Sequence, residues 1–139
     1  VHSYFSPYES PMDAFVVAQT LINDLEARLR AAILTANEPF LFHTGVGKQY
    51  YTGTMAWSLK GFVNAAETVN AKALEFHIGN GDFESWAKCS LKDDELAAKL
   101  SEIKAAKKKG QALRLAIVNA AKKRFTTLNA QVQAATKQF

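Results

Sequence analysis

The sequence of 139 residues contains a single cysteine, Cys89, which excludes a disulfide within the chain and leaves no cysteine set for a zinc site. No stretch approaches the roughly 20 consecutive apolar residues of a membrane-spanning helix, so we expect no membrane contact. Apolar residues make up 48% and charged residues 22%, which does not suggest global disorder. We expect one globular, cytoplasmic protein. The start at Val1 fits either loss of a methionine or cleavage of a longer leader.

Residues with the spacing of a catalytic or metal site are also scarce. Helical zinc sites use histidines four residues apart, and none of the three histidines has such a partner. Glu75 and His77 would point about 200° apart on a helix, so they would not converge on one ion. His77 is better explained as a partly buried histidine that is hydrogen-bonded to the backbone or to an acid. We therefore predict no enzyme, no metal and no cofactor. An enzyme centred on His77 and Asp82 is a third, weaker hypothesis.

The glycines of GVGK, at positions 45 to 48, lack the spacing of a phosphate-binding loop, and no helix is predicted to begin at Lys48. β-Branched and aromatic residues flank these glycines on both sides. This pattern is typical of two short strands joined by a turn. It predicts a hairpin at about residues 40 to 54.

Acidic residues are almost missing from the end of the chain. Residues 101 to 139 contain nine basic residues and one acidic residue, Glu102, which gives this segment a charge of +8 within a total of +4. Residues 1 to 69 carry four basic and six acidic residues, or −2. Such an asymmetry suggests a localised surface that faces a polyanion.

The basic residues of this segment are the predicted nucleic-acid-binding site. Lysine and arginine clusters neutralise phosphates and release counterions, whereas a solvated helix face is the alternative explanation for the lysines. No base-reading element is apparent, so binding to DNA or RNA backbone, or to a nucleoprotein complex, would be independent of sequence. The site consists of Lys104, Lys107, Lys108, Lys109, Arg114, Lys122, Lys123 and Arg124.

The spacing of apolar residues predicts a mainly α-helical fold of about six helices in one domain, residues 11 to 139. Steps of three and four from Phe15 to Ala36 indicate a long first helix, and the same rhythm from Leu113 to Val132 indicates a long last one. Ser58, Asn70 and Asp82 are predicted N-caps of intervening helices. Ser90 with Asp93 resembles a capping box, and Gly110 is expected to close the helix before the last one.

Residues 1 to 10 show neither a helical nor an alternating pattern and are predicted to form an extended N-terminal arm. Tyr4, Phe5 and Tyr8 are its candidate partner-binding residues; docking on the arm's own domain is an equal alternative. This arm motivates the second functional hypothesis. The protein would then be an interaction, regulatory or self-assembling module, such as a homo-oligomer or filament, without nucleic-acid contact.

The central and C-terminal regions, from about Phe40 to Leu128, resemble an uncharacterised, largely archaeal family of prokaryotic domains of unknown function. The shared features are a glycine before an SL..F helix, then LEFH...GDF..W, D.ELA and a last helix introduced by G..L. The family often has arginine where this chain has Asn80. The resemblance implies a single fold and supplies neither an activity nor site residues. The matching positions are Gly53, Ser58, Leu59, Phe62, Leu74, Glu75, Phe76, His77, Gly81, Asp82, Phe83, Trp86, Asp94, Leu96, Ala97, Gly110 and Leu113.

Overall fold

The computed structural model describes residues 36 to 136, with side chains described up to residue 134. The predicted N-terminal arm, with Tyr4, Phe5 and Tyr8, and nearly all of the predicted first helix lie outside the described residues. The described part is mainly helical with one small two-stranded antiparallel sheet, as predicted.

The strands are β1, Phe40–His43, and β2, Tyr51–Ala56, and a short 3-10 turn, Lys48–Tyr50, leads into β2. Five helices follow in the described part. They are α1, Leu59–Thr68; α2, Ala71–Asn80; α3, Asp82–Cys89; α4, Asp94–Ala106; and α5, Gly110–Thr136.

The hairpin lies where the sequence predicted it, and its strands alternate between core and solvent. Phe40 and Phe42 point inward and are buried, whereas Leu41 points outward and pairs with Met55 across the sheet. The register shifts between Leu41 and His43. Because successive strand residues face opposite sides, this pattern fixes which face of the hairpin covers the helices.

The core is an aromatic cluster between the hairpin and the helices α1 and α3. Phe40 lies 4.8 Å from Phe42 and 4.9 Å from Phe83, measured between ring centroids. Phe62 lies 5.2 Å from Phe83 and 5.5 Å from Trp86. The Trp86 indole N–H donates to the Glu38 carbonyl at 2.7 Å, which satisfies the polar end of a ring that is otherwise buried.

Two of the predicted N-caps are confirmed. The Ser58 hydroxyl accepts from the Gly61 N–H at 3.0 Å at the start of α1, and the Asn70 side chain accepts from the Lys72 N–H at 2.9 Å at the start of α2. Gly81 ends α2 with φ of 74°, a left-handed conformation that favours glycine.

The other predicted caps were wrong. Asp82 is the first residue of α3 rather than its cap, and its carboxylate bonds a side chain instead of an N–H of that helix. Ser90 ends α3, and Asp93 caps α4 by accepting from the Leu96 N–H at 3.1 Å. Gly110 begins α5, whereas Lys107 closes α4 with φ of 54°.

Helix α5 packs against α1, α2 and α4 and buries Leu113, Ile117 and Ala121. Helices α4 and α5 run antiparallel, because Arg124 on α5 reaches Asp93 and Glu95 at the start of α4. A turn of three residues, Lys107 to Lys109, joins them. This αα-hairpin presents the three lysines at one end of the molecule.

Candidate nucleic-acid interface

Three consecutive lysines form the connection between α4 and α5, and we call Lys107, Lys108 and Lys109 the lysine turn. The Lys107 N–H donates to the Lys104 carbonyl at 3.2 Å, which ends α4 tightly. Left-handed backbone at Lys107 and Gly110 then reverses the chain. All three side chains are exposed as a result.

The ammonium groups of the lysine turn have no ion-pair partner among the described residues. Within the same part of the chain, Lys104 and Lys123 form no ion pair either. Lys104 borders a polar surface groove that Glu84 and Lys88 also line. The turn is thus a patch of positive charge open to solvent, which attracts polyanions over roughly the Debye length of 8 to 10 Å at physiological salt.

The lysine turn precedes the first turn of α5, a helix of 27 residues whose N-terminus carries a partial positive charge. One acidic residue, Glu75, lies beside the start of α5. The Glu75 carboxylate of α2 accepts from the Gly110 N–H at 2.9 Å and so fastens the turn to α2. Glu75 therefore has a structural role that its sequence neighbourhood did not reveal.

Lys72 is one residue that the sequence analysis missed. It is exposed on α2, three residues before Glu75, and residues at this spacing share one face of a helix. Lys72 therefore shares the face of α2 from which Glu75 reaches Gly110. The i, i+3 relation was visible in the sequence, but the contact between Glu75 and Gly110 was not.

Both arginines of the predicted site serve the fold. The Arg114 guanidinium donates to the Ala66 carbonyl at 2.8 Å, near the end of α1. Arg124 donates to the buried Asp93 carboxylate at 2.7 Å and also to Glu95. Each guanidinium is thus held in place by two internal hydrogen bonds, and only its remaining N–H groups are left to contact a phosphate.

The remaining two predicted residues lie further along α5. Lys122 pairs with Glu67 at 3.4 Å, and both side chains are largely exposed, so this pair contributes little to stability. Lys123 is unpaired within the described part of the chain, but it lies 14 residues beyond Lys109, which is roughly 20 Å along a helix. The structure thus brings together Lys104 and the lysine turn, places Arg114 four residues after the start of α5, and separates Lys122, Lys123 and Arg124 from the turn.

His77, the residue at the centre of the enzyme hypothesis, is hydrogen-bonded through both of its ring nitrogens. The ring of His77 is 5% exposed, its Nδ1–H donates to the Asp82 carboxylate at 2.8 Å, and its Nε2 accepts from the His43 backbone N–H at 2.8 Å. Burial lowers the pKa of His77 below its ordinary value of 6.5, although the hydrogen bond and charge of Asp82 oppose this shift. The neutral ring therefore has no nitrogen available for general-base catalysis.

This geometry also explains why Asp82 does not cap α3. Its carboxylate is engaged by His77, five residues earlier, so the helix begins without a side-chain cap. A negative charge in the first turn still favours the helix dipole. In the part of the chain that is described, no group of three or more histidine, cysteine, aspartate or glutamate residues is arranged to hold a metal ion.

Exposed apolar side chains concentrate on the hairpin. Of the six large apolar side chains exposed in the described part, five lie between positions 41 and 57, with Trp57 at 54% exposure. Leu41 and Met55 are direct neighbours on the outer face of the sheet. The sixth, Leu115, lies on α5.

Comparison with known proteins adds no family assignment: no family model, curated protein or solved structure matches the chain. The resemblance to the archaeal family therefore stays a prediction. Within residues 36 to 136, no helix is both long enough and apolar enough to cross a membrane.

Proposed function

We propose that the protein is a non-enzymatic binder of nucleic-acid backbone, which contacts phosphates through its C-terminal half without reading sequence. The lysine turn carries this proposal, because its three exposed ammonium groups lack internal partners in the described structure and project from one tight turn. Lys104 adds to the same end of the molecule. Lysines of this kind neutralise phosphates as point charges and release condensed counterions.

The state of the arginines supports the absence of sequence specificity. Direct reading of bases commonly uses an arginine that forms two hydrogen bonds to guanine. Arg114 and Arg124, the two arginines of the described part, are both bonded internally. A surface made of lysines alone favours contact with the backbone over contact with base edges.

The test compares two triple variants of equal charge. Lys107→Asn, Lys108→Gln and Lys109→Gln removes the lysine turn, with asparagine at position 107 because it tolerates left-handed backbone. Lys48→Gln, Lys60→Gln and Lys92→Asn removes three exposed lysines that lie apart from the turn and form no ion pair with a described residue, and Lys92 has left-handed backbone as Lys107 does.

Both variants are titrated against a labelled DNA duplex and a structured RNA at low salt. The lysine-turn variant should lose at least about tenfold in affinity for either probe, whereas the scattered variant should lose much less. Equal losses in the two variants would attribute binding to net charge and contradict a local site. If the unmodified protein binds neither probe at low salt, the proposal is wrong.

The exposed hairpin face favours a second candidate function, an interaction or self-assembling module. Leu41, Met55 and Trp57 form an apolar surface of the kind that marks protein contacts when it is contiguous. Light scattering over a range of protein concentrations tests self-association. A species that stays monomeric throughout, and that isolates without a bound protein, would count against this candidate.

A further inference from the structure

The side chain of His77 is the hydrogen-bonded link between the hairpin and the helices. Its Nε2 atom accepts from the backbone N–H of His43, the last residue of β1, across 34 positions of sequence. Its other nitrogen donates to Asp82 at the start of α3. One imidazole ring thus joins three elements, β1, α2 and α3.

The bond to His43 requires an unprotonated Nε2 atom. A proton on Nε2 would turn the acceptor into a donor that faces another donor, so the link to β1 would be lost. The next residue, Thr44, has its hydrogen bond within the hairpin, because its N–H donates to the Tyr50 carbonyl at 3.0 Å. Loss of the link therefore acts first on the hairpin tip, which we define as residues 43 to 51.

Two ionisable groups face the His77 ring. Asp82, from α3, favours the protonated ring, and His43, from β1, disfavours it. Otherwise the ring is surrounded by aromatic side chains, with ring centroids at 4.7 Å for Phe40, 5.0 Å for Phe76 and 5.5 Å for Phe83. This enclosure penalises a charge, so protonation favours a state in which the ring is more open to water.

We infer that the His43–His77–Asp82 chain is a pH-sensitive latch, which holds the hairpin tip against α2 at neutral pH and releases it on acidification. The buried rings of Phe40 and Phe42 anchor the rest of β1 in the aromatic core, so the released part is the tip rather than the whole hairpin. The released segment includes Val46 and Tyr50, two of the exposed apolar residues described above.

The sign follows from the two states of the ring. In the closed state burial lowers the pKa of His77, whereas in the open state the ring regains its ordinary value of 6.5. The open state therefore binds more protons between these two values. The stability of the closed state relative to the open state is greatest above pH 6.5, and it decreases as the pH falls toward the closed-state pKa of His77. The opening constant should rise up to about tenfold for each pH unit in that window.

Amide hydrogen exchange between pH 7.5 and 5 tests the latch, with each rate divided by the intrinsic rate at the same pH. The His43 amide reports the latch directly, and the Ile117 amide in the core of α5 reports global unfolding. Protection at His43 should fall up to about tenfold per pH unit below 6.5 and should stay well below the protection at Ile117, because a local opening needs less free energy than global unfolding. If the two amides have equal protection factors at every pH, opening is global and there is no local latch.

Two variants separate titration of His77 from other effects of acid. In His77→Gln the amide can accept from the His43 N–H and donate to Asp82 but cannot titrate, so protection at His43 should become independent of pH. Asp82→Asn keeps an acceptor for the Nδ1–H but removes the charge that favours the protonated ring, so the closed-state pKa should fall further and the opening constant should keep rising to a lower pH than in the unmodified protein. Unchanged pH dependence in either variant would overturn the inference.

Discussion

Replacing Arg124 by methionine should destabilise the protein strongly, although Arg124 belongs to a segment that the sequence presents as a solvent-facing basic surface. The Asp93 side chain is 3% exposed and has two partners. One carboxylate oxygen caps α4 through the Leu96 N–H at 3.1 Å, and the other accepts from the Arg124 guanidinium at 2.7 Å. Methionine preserves most of the stem of the side chain and removes only the cation.

The expected loss of stability follows from the negative charge of Asp93, which stays buried when Arg124 is replaced. Removing one partner of a buried ion pair typically costs 3 to 5 kcal/mol, because the other charge stays buried without compensation. Asp93 would retain the Leu96 N–H, and the Arg124 side chain is 18% exposed, so water can reach the site in part. We therefore expect a loss of about 3 kcal/mol in the free energy of unfolding.

Urea unfolding of Arg124→Met measures this loss, and two further variants interpret it. Lys123→Met removes an adjacent exposed charge and should change stability by no more than about 0.5 kcal/mol. Adding Asp93→Asn to Arg124→Met keeps the cap oxygen and removes the unpaired charge, so the double variant should lie within about 1 kcal/mol of the unmodified protein.

A loss below about 1 kcal/mol in Arg124→Met would refute this reasoning, because it would mean that Asp93 is not left with an uncompensated charge. Failure of the double variant to recover stability would also contradict it. In that case the cost would come from packing of the arginine stem and not from the ion pair.

Two further predictions concern helix starts. Glu75→Gln weakens the hydrogen bond to the Gly110 N–H and should lower the free energy of unfolding in urea by about 1 kcal/mol. Polyanion binding should become tighter, because the negative charge beside the lysine turn is removed. Tighter binding without any loss of stability would show that Glu75 does not fasten the turn. Asn70→Ala removes the cap of α2 and should also cost about 1 kcal/mol. In Asn70→Ala, an unchanged urea midpoint would argue against that cap.

Local sequence signals predicted those parts of the fold that depend on local interactions. The hairpin followed from glycines between β-branched and aromatic runs, and the Ser58 and Asn70 caps bond backbone groups two or three residues away. The last helix followed from the apolar rhythm between Leu113 and Val132, and both of these side chains are buried in the core. In each case the side chain either bonds a group that is near in sequence or packs into the hydrophobic core.

The wrong cap assignment of Asp82 arose because a side chain on another helix competes for its carboxylate. Asp82 was predicted as a cap, but His77 takes its carboxylate. The ion pair of Arg124 with Asp93, on another helix and 31 positions away, could not be read from the sequence either. Periodicity describes which face of a helix a residue occupies, and it does not reveal which residues of other elements face it.

The central claim is tested most directly by the salt dependence of duplex binding. A plot of log K against log salt concentration should have a negative slope, and the variant with Lys107→Asn, Lys108→Gln and Lys109→Gln should reduce that slope by about 2.7 if each lysine neutralises one phosphate. The scattered-lysine variant should leave the slope nearly unchanged. A slope that is the same in the unmodified protein and in the lysine-turn variant would show that the turn contacts no phosphate.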